Sequence, residues 1–210
     1  MDTPPQPPAP ATLPPVNLPP PVTVPGPKTI YINYFDGINE TKVKVLMAVC
    51  AEILAKQKPD TLYFLFSSNG GSVTAGITLY NFLRALPVEV VMHNTGSIDS
   101  IATVIFMAGK KRYAAKHSTF LFHGIATQFG ANASLDRCKM EEILSSLTQD
   151  ENKITGIISG TTQLTAEELK KLYIQGETKD LTFAMDKGII QEIRDPSIPK
   201  DAAIVSLNIN

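Results

Sequence analysis

The apolar residues of this chain change period several times, and each change marks an element. TIYINYF (29–35) is a run of β-branched and aromatic residues with strand character, turned by Asp36-Gly37. From Asn39, a candidate N-cap, to about Gln57 the apolar positions Val43, Leu46, Met47, Cys50, Ile53 and Leu54 recur at steps of three and four. That spacing predicts an amphipathic helix, stopped by Pro59 and Asp60. TLYFLF (61–66) is a continuous apolar run, as in a parallel strand covered on both faces. Strand, helix and strand of this kind close as a right-handed βαβ unit.

The same alternation repeats after Gly70-Gly71. Ser72 can cap a helix reaching about Ala85, with Val73, Ile77, Tyr80 and Leu83 or Phe82 inward, and Pro87 closes it. VEVVMH is a strand, and Ser97 to Ser100 reads as a turn feeding IATVIFMA, a helix apolar all round and therefore buried. KRYAA and STFLFH read as a strand pair with His117 in a hairpin loop, and GIATQFGANA as a mobile loop. A long helix is expected from Ser134 to about Ser159, with Leu135, Cys138, Ile143, Leu144, Leu147, Ile154, Ile157 and Ile158 on its apolar side. At 1.5 Å per residue it would span roughly 37 Å, more than a small core needs, so it should project and offer a stripe to a second subunit. A capping box, Thr165 with Glu168, opens the next helix, which ends near Gly176. A helical turn FAMDKG and a last strand IIQEI follow, while the final apolar patch AAIVSL has no evident place.

Composition adjusts this picture at its ends. Residues 1–27 hold twelve of the sixteen prolines and no charge beyond Asp2, which predicts an extended tail rather than helix or central sheet. The expected organisation is a tail over 1–27, one α/β domain over 28–195 and a C-terminal tail over 196–210. With 19 basic and 20 acidic residues, net charge −1, no field favours nucleic acid or an anionic membrane. No run of about 18 apolar residues offers a membrane span, and the start lacks the basic and apolar regions of a secretory signal. A cytoplasmic protein is the expectation. Cys50 and Cys138 make neither a zinc cluster nor a disulfide framework and read as buried free thiols, so no metal or organic cofactor is implied.

Candidate chemistry concentrates between Ser67 and Gly109. Acyl transfer at neutral pH needs a hydroxyl, a base to activate it, a group that fixes the base's tautomer, and donors for the oxyanion. Ser100 enters a buried helix after one strand, and the Gly70-Gly71 turn lies at the end of another. Of three histidines, His93 and His123 both end strands; His93 is only seven positions from Ser100, so the chain would have to double back. His123 arrives from elsewhere in the fold, which suits a triad better.

The blocks NGGSVTAGITLYNFL, GSIDSIATVIFMAGKKRY, HSTFLFHG and GIIQEI, taken in that order over residues 61–193, resemble the Clp protease proteolytic subunit family. The resemblance implies the crotonase-like spiral of ββα units with a projecting long helix, and hydrolysis of unfolded polypeptide by a serine endopeptidase. It implies Ser100 as nucleophile, His123 as general base, and the main-chain N–H groups of Gly71 and Ile101 as oxyanion donors. Gly71 lets the main chain approach a substrate oxygen, and Ile101 belongs to a free first helical turn. Asp180 is the implied triad acid, with Glu177 as its alternative. Asp99 stands where the family has a small apolar residue and is expected to face away from the site or cap a helix. Homo-oligomeric rings and a separate AAA+ unfoldase ATPase are the implied partners. Two other readings stay open: another crotonase-fold enzyme, acyl-CoA hydratase or thioesterase, and a non-catalytic ring subunit.

Overall fold

The computed structural model describes residues 28–127, 129 and 134–207. The proline-rich stretch read as a tail, part of the loop over 124–133, and the last three residues lie outside them.

β1 (Thr29–Phe35), α1 (Glu40–Gln57), β2 (Thr61–Ser68), α2 (Val73–Ala85) and β3 (Glu89–Asp99) form two consecutive parallel βαβ crossovers. Both helices start as their sequences predict. Asn39 accepts from the Lys42 N–H, and Ser72 from the Ala75 N–H. α1 buries Val43, Leu46, Cys50 and Ile53 on the sheet, each apolar side chain contributing about 1.5–3 kcal/mol.

The expected turn over Ser97 to Ser100 is instead the end of β3. Eleven residues long, β3 takes two partners in series: β4 (Lys111–Ala114) pairs with Val91 to Asn94, and β5 (Thr119–Leu121) with Ser97 to Asp99, both parallel. KRYAA and STFLFH are therefore not a hairpin. Asn94 makes the changeover: its O accepts the Ala115 N–H at 2.8 Å, its Nδ2 donates to Thr119 O at 2.9 Å, and its Oδ1 accepts the Gly96 N–H at 3.0 Å. On the other edge of β3 the register shifts, Phe66 facing Asn94 and Ser68 facing Ile98, and Ser67 Oγ bridges the Ser97 N–H and O across the bulge.

α3 (Ala102–Phe106) is buried throughout. α4 begins three residues later than expected, at Arg137, because Asp136 accepts the Lys139 N–H as N-cap, and runs as Arg137–Ser159. Only Ile154 and Ile158 of α4 are buried; Leu135, Met140, Leu144 and Cys138 are exposed, so the apolar side read from sequence faces the core only at its C-terminal end. Cys50 alone is a buried thiol, its pKa pushed up by burial to about 12.

α5 (Ala166–Gln175) has the full Thr165–Glu168 capping box and ends on left-handed Gly176. Then come β6 (Thr178–Lys179), α6 (Leu181–Asp186) and β7 (Glu192–Ile193), the last only two residues of the expected strand. The patch left without a place is β8 (Ala203–Ser206), which adds a parallel edge strand beside β1. The sheet order is β6-β5-β3-β2-β1-β8, with β4 joining β3 and β7 joining β4; only β5 with β6 is antiparallel. The result is an α/β fold on a mixed sheet.

Two polar groups lock the sheet to its cover. Arg112 is buried without a carboxylate and donates to four carbonyls, Ile189, Gly109, Thr161 and Gly188, at 2.7–3.0 Å, tying β4 to the chain that follows α3, α4 and α6. His93, fully buried in β3, lies 2.8 Å from the Arg194 carbonyl through Nε2 and 2.7 Å from the Tyr63 hydroxyl through Nδ1. A carbonyl only accepts, so Nε2–H is the donor and Nδ1 takes the hydroxyl proton's bond. Arg194 in turn lays its guanidinium 3.5 Å over the Tyr113 ring.

Candidate functional site

Ser100 sits where β3 gives way to the buried α3 segment, at φ 57. A non-glycine residue in the left-handed region is strained by about 1–3 kcal/mol and persists only where its surroundings hold it. Here they do. The Ser100 N–H donates to Leu121 O at 2.9 Å, and its carbonyl accepts both the Thr103 N–H at 3.0 Å and the Thr103 hydroxyl at 2.7 Å.

The glycine pair has two separate jobs. Gly70, at φ 87, packs so closely that a Cβ there would stand 2.7 Å from Ser100 Cβ and 2.9 Å from Asp99 O. Gly71, at φ 147, bridges Ile38, where a Cβ would fall 2.1 Å from the Ile38 carbonyl. In that bridge Ile38 donates to Gly70 O and accepts from the Ser72 N–H, each at 2.8 Å, which leaves the Gly71 N–H outside the ladder. The Ile101 N–H belongs to the start of α3, where intrahelical acceptors do not exist.

Ser100, His123, Gly71 and Ile101 all line one cavity of about 230 Å³. Its remaining wall is largely apolar, with Val73, Phe122, Ile125, Ile154 and Tyr173. The last two are liners that sequence reading missed: they come from α4 and α5, far along the chain, and nothing in their local pattern marks them. Tyr173 also accepts the Gly124 N–H on its carbonyl at 3.1 Å, and burial raises the pKa of its phenol.

His123 lies two residues beyond β5 with its side chain exposed. Its Nδ1 is 2.7 Å from the carbonyl of Gly124. His93, the other strand-end candidate, lies instead inside β3, with both ring nitrogens bonded away from the cavity and its pKa lowered by burial.

Each candidate carboxylate has a partner of its own. Asp180 is the N-cap of α6, its Oδ1 accepting the Phe183 N–H at 2.9 Å. β6 runs antiparallel to β5 with Thr178 facing Leu121 and Lys179 facing Phe120. Continuing that register puts Asp180 beside Thr119, four residues from His123 and about 13 Å along the strand at ~3.3 Å per residue. The same register continued the other way puts Glu177 beside Phe122, one residue from His123, and its carboxylate pairs with Lys179 at 3.0 Å. Asp99 accepts from the Ser97 hydroxyl at 2.5 Å and lines a separate cavity with Phe35 and Asp36, away from the Ser100 wall. Among the described residues no group of His, Cys, Asp and Glu side chains is placed to hold a metal ion, and no helix is long and apolar enough to cross a membrane.

A serine, a histidine and two residues whose N–H groups have no ladder or helix acceptor line one largely apolar cavity, and these residue types are the parts of an acyl-transfer site. Comparison with known proteins points the same way. The Clp protease family model matches residues 28–197. ATP-dependent Clp protease proteolytic subunit 1 of Leifsonia xyli subsp. xyli is 25% identical over 165 residues, which cover 78% of this chain and 79% of that protein. Proteolytic subunit 2 of Cutibacterium acnes is 31% identical over 124 residues, covering 53% and 58% of the two chains. The proteolytic subunit of Bigelowiella natans is 32% identical over 101 residues, covering 47% and 52%. Because the matched region takes in every described element from β1 to β7, and with them the whole cavity, this chain belongs to the Clp protease family and is related to its proteolytic subunits.

Proposed function

We propose that the chain is a serine endopeptidase of the Clp proteolytic type, hydrolysing unfolded polypeptide through an acyl-enzyme at Ser100. The observation that carries this reading is that Ser100, His123, Gly71 and Ile101 line one cavity. Ser100 Oγ attacks the scissile carbonyl while its proton passes to His123 Nε2. The carbonyl π pair moves onto oxygen, where the two N–H groups stabilise the charge. As that pair returns, the C–N bond breaks and the Nε2 proton leaves with the amine. Water then repeats the sequence on the ester, with His123 as base, to release the acid and restore Ser100. The apolar wall from Val73 to Tyr173 accommodates an apolar side chain of the substrate.

Asp180 has no step in this reading and keeps its place as the α6 cap. The wider arrangement goes with the reading: a crotonase-like spiral, assembly into rings, a cytoplasmic setting, and polypeptide delivered by a separate AAA+ unfoldase. The place of Asp180 as the α6 cap and the pairing of Glu177 with Lys179 favour one second reading, a ring subunit without activity. Peptide hydrolysis by the wild-type chain and Ser100→Ala separates the two. The peptidase reading expects turnover that Ser100→Ala abolishes while the oligomeric state is unchanged; equal turnover by both proteins, or none by either, contradicts it.

A further inference from the structure

The imidazole of a serine hydrolase works only if something holds it in the tautomer whose Nε2 carries the lone pair. We propose that in this chain the main-chain carbonyl of Gly124 does this, so that Ser100 and His123 act as a dyad oriented by the backbone. The inference rests on the peptidase reading above for its catalytic consequence, though not for the orientation itself.

The geometry assigns the proton. Gly124 O lies 2.7 Å from His123 Nδ1 and has no hydrogen to give, so Nδ1 must be the donor. A neutral ring bonded in this way has its lone pair on Nε2, the atom that must take the proton of Ser100. The carbonyl is itself fixed: Gly124 donates its N–H to Tyr173 O at 3.1 Å, which fastens residue 124 to α5. α5 is held at its start by the Thr165–Glu168 capping box and on the core by buried Leu169 and Leu172. The contact α5 makes with Gly124 is the backbone of Tyr173. The two candidate acids have other partners, Asp180 accepting the Phe183 N–H and Glu177 pairing with Lys179. During acylation the Oγ proton moves to Nε2 as the Oγ–C bond forms, and Nδ1–H stays on Gly124 O throughout. A neutral carbonyl fixes the tautomer as well as a carboxylate does, but supports the imidazolium less, so turnover is slow and indifferent to the nearby acids.

The test uses full-length protein with ¹⁵N-labelled histidine, His123→Gln to assign its signal, and the variants Asp180→Asn and Glu177→Gln. Asparagine is as good an N-cap as aspartate, so Asp180→Asn removes the carboxylate while leaving α6 capped. The expected result is a neutral His123 with the proton on Nδ1 in wild type and both variants, and hydrolysis within about threefold of wild type. A proton on Nε2, or a tautomer that changes in Asp180→Asn, overturns the proposal. So does a large fall in kcat with the fold intact, since converting a triad acid to its amide typically costs ~10⁴-fold. If the wild type shows no Ser100-dependent hydrolysis, the peptidase reading falls, and the tautomer still decides the orientation.

Discussion

Replacing Gly70 with alanine tests how the strained serine is held. At φ 87 a non-glycine residue is disfavoured, by about 1–2 kcal/mol on the scale of left-handed backbone. The added methyl would stand 2.7 Å from Ser100 Cβ and 2.9 Å from Asp99 O, and overpacking of this kind costs about 1–3 kcal/mol. If the fold resists, Gly70→Ala lowers stability by roughly 2–5 kcal/mol, the sum of those two ranges. If it yields, the pair must separate by about 1 Å to reach the ~3.5–4.0 Å of ordinary carbon contacts. Asp99 is fixed in its pairing with Leu121, and Ser100 is bonded to that residue's carbonyl, so the serine turn would absorb the shift. A displacement of ~1 Å at the nucleophile is enough to lower turnover on the order of 10²-fold. Urea denaturation and saturating peptide hydrolysis, run on the same preparation, read both routes. A variant with an unchanged urea midpoint and turnover within about threefold of wild type would refute the idea that Gly70 is small because Ser100 needs the space.

Two further predictions concern the groups that lock the sheet. Burial lowers the pKa of His93, so the fold holds this ring neutral while the unfolded chain takes up a proton below about 6.5. Its contribution to stability is therefore complete above that pH and is lost as pH falls below it, at no more than about 1.4 kcal/mol per pH unit. Urea midpoints from pH 7.5 to 5 should fall more steeply for wild type than for His93→Gln, and parallel curves would contradict the assignment. Arg112→Lys should lower stability by about 2–4 kcal/mol, because one ammonium with three donors cannot serve four carbonyls spread around a planar guanidinium. Thermal or urea unfolding checks it, and a loss under about 0.5 kcal/mol would show that the carbonyls find other partners.

Local signals carried most of the secondary structure. Asn39, Ser72 and Thr165 cap the helices that their spacing announces, since a cap and an apolar period are written within a few residues. Long-range choices were less legible. KRYAA and STFLFH have the composition of paired strands, yet β3 is long enough to hold both in series, and that depends on the Asn94 side chain reaching Thr119. The apolar patch AAIVSL finds its place only because β1 has a free edge at the right height. In the site, the glycine pair and the serine are neighbours in a readable motif, whereas Ile154 and Tyr173 reach the cavity through α4 and α5. Asp180 shows how two patterns overlap: an acid at plausible spacing also caps a short helix, and Asp before such a helix satisfies both.

The most direct measurement is labelling of the full-length protein with a serine-reactive fluorophosphonate, followed by mass-spectrometric mapping of the adduct. A nucleophilic Ser100 backed by His123 gives a single adduct on the peptide bearing Ser100, absent from Ser100→Ala and reduced in His123→Gln. No adduct, or one carried by Ser97 or another serine, would contradict the assignment of Ser100 as nucleophile.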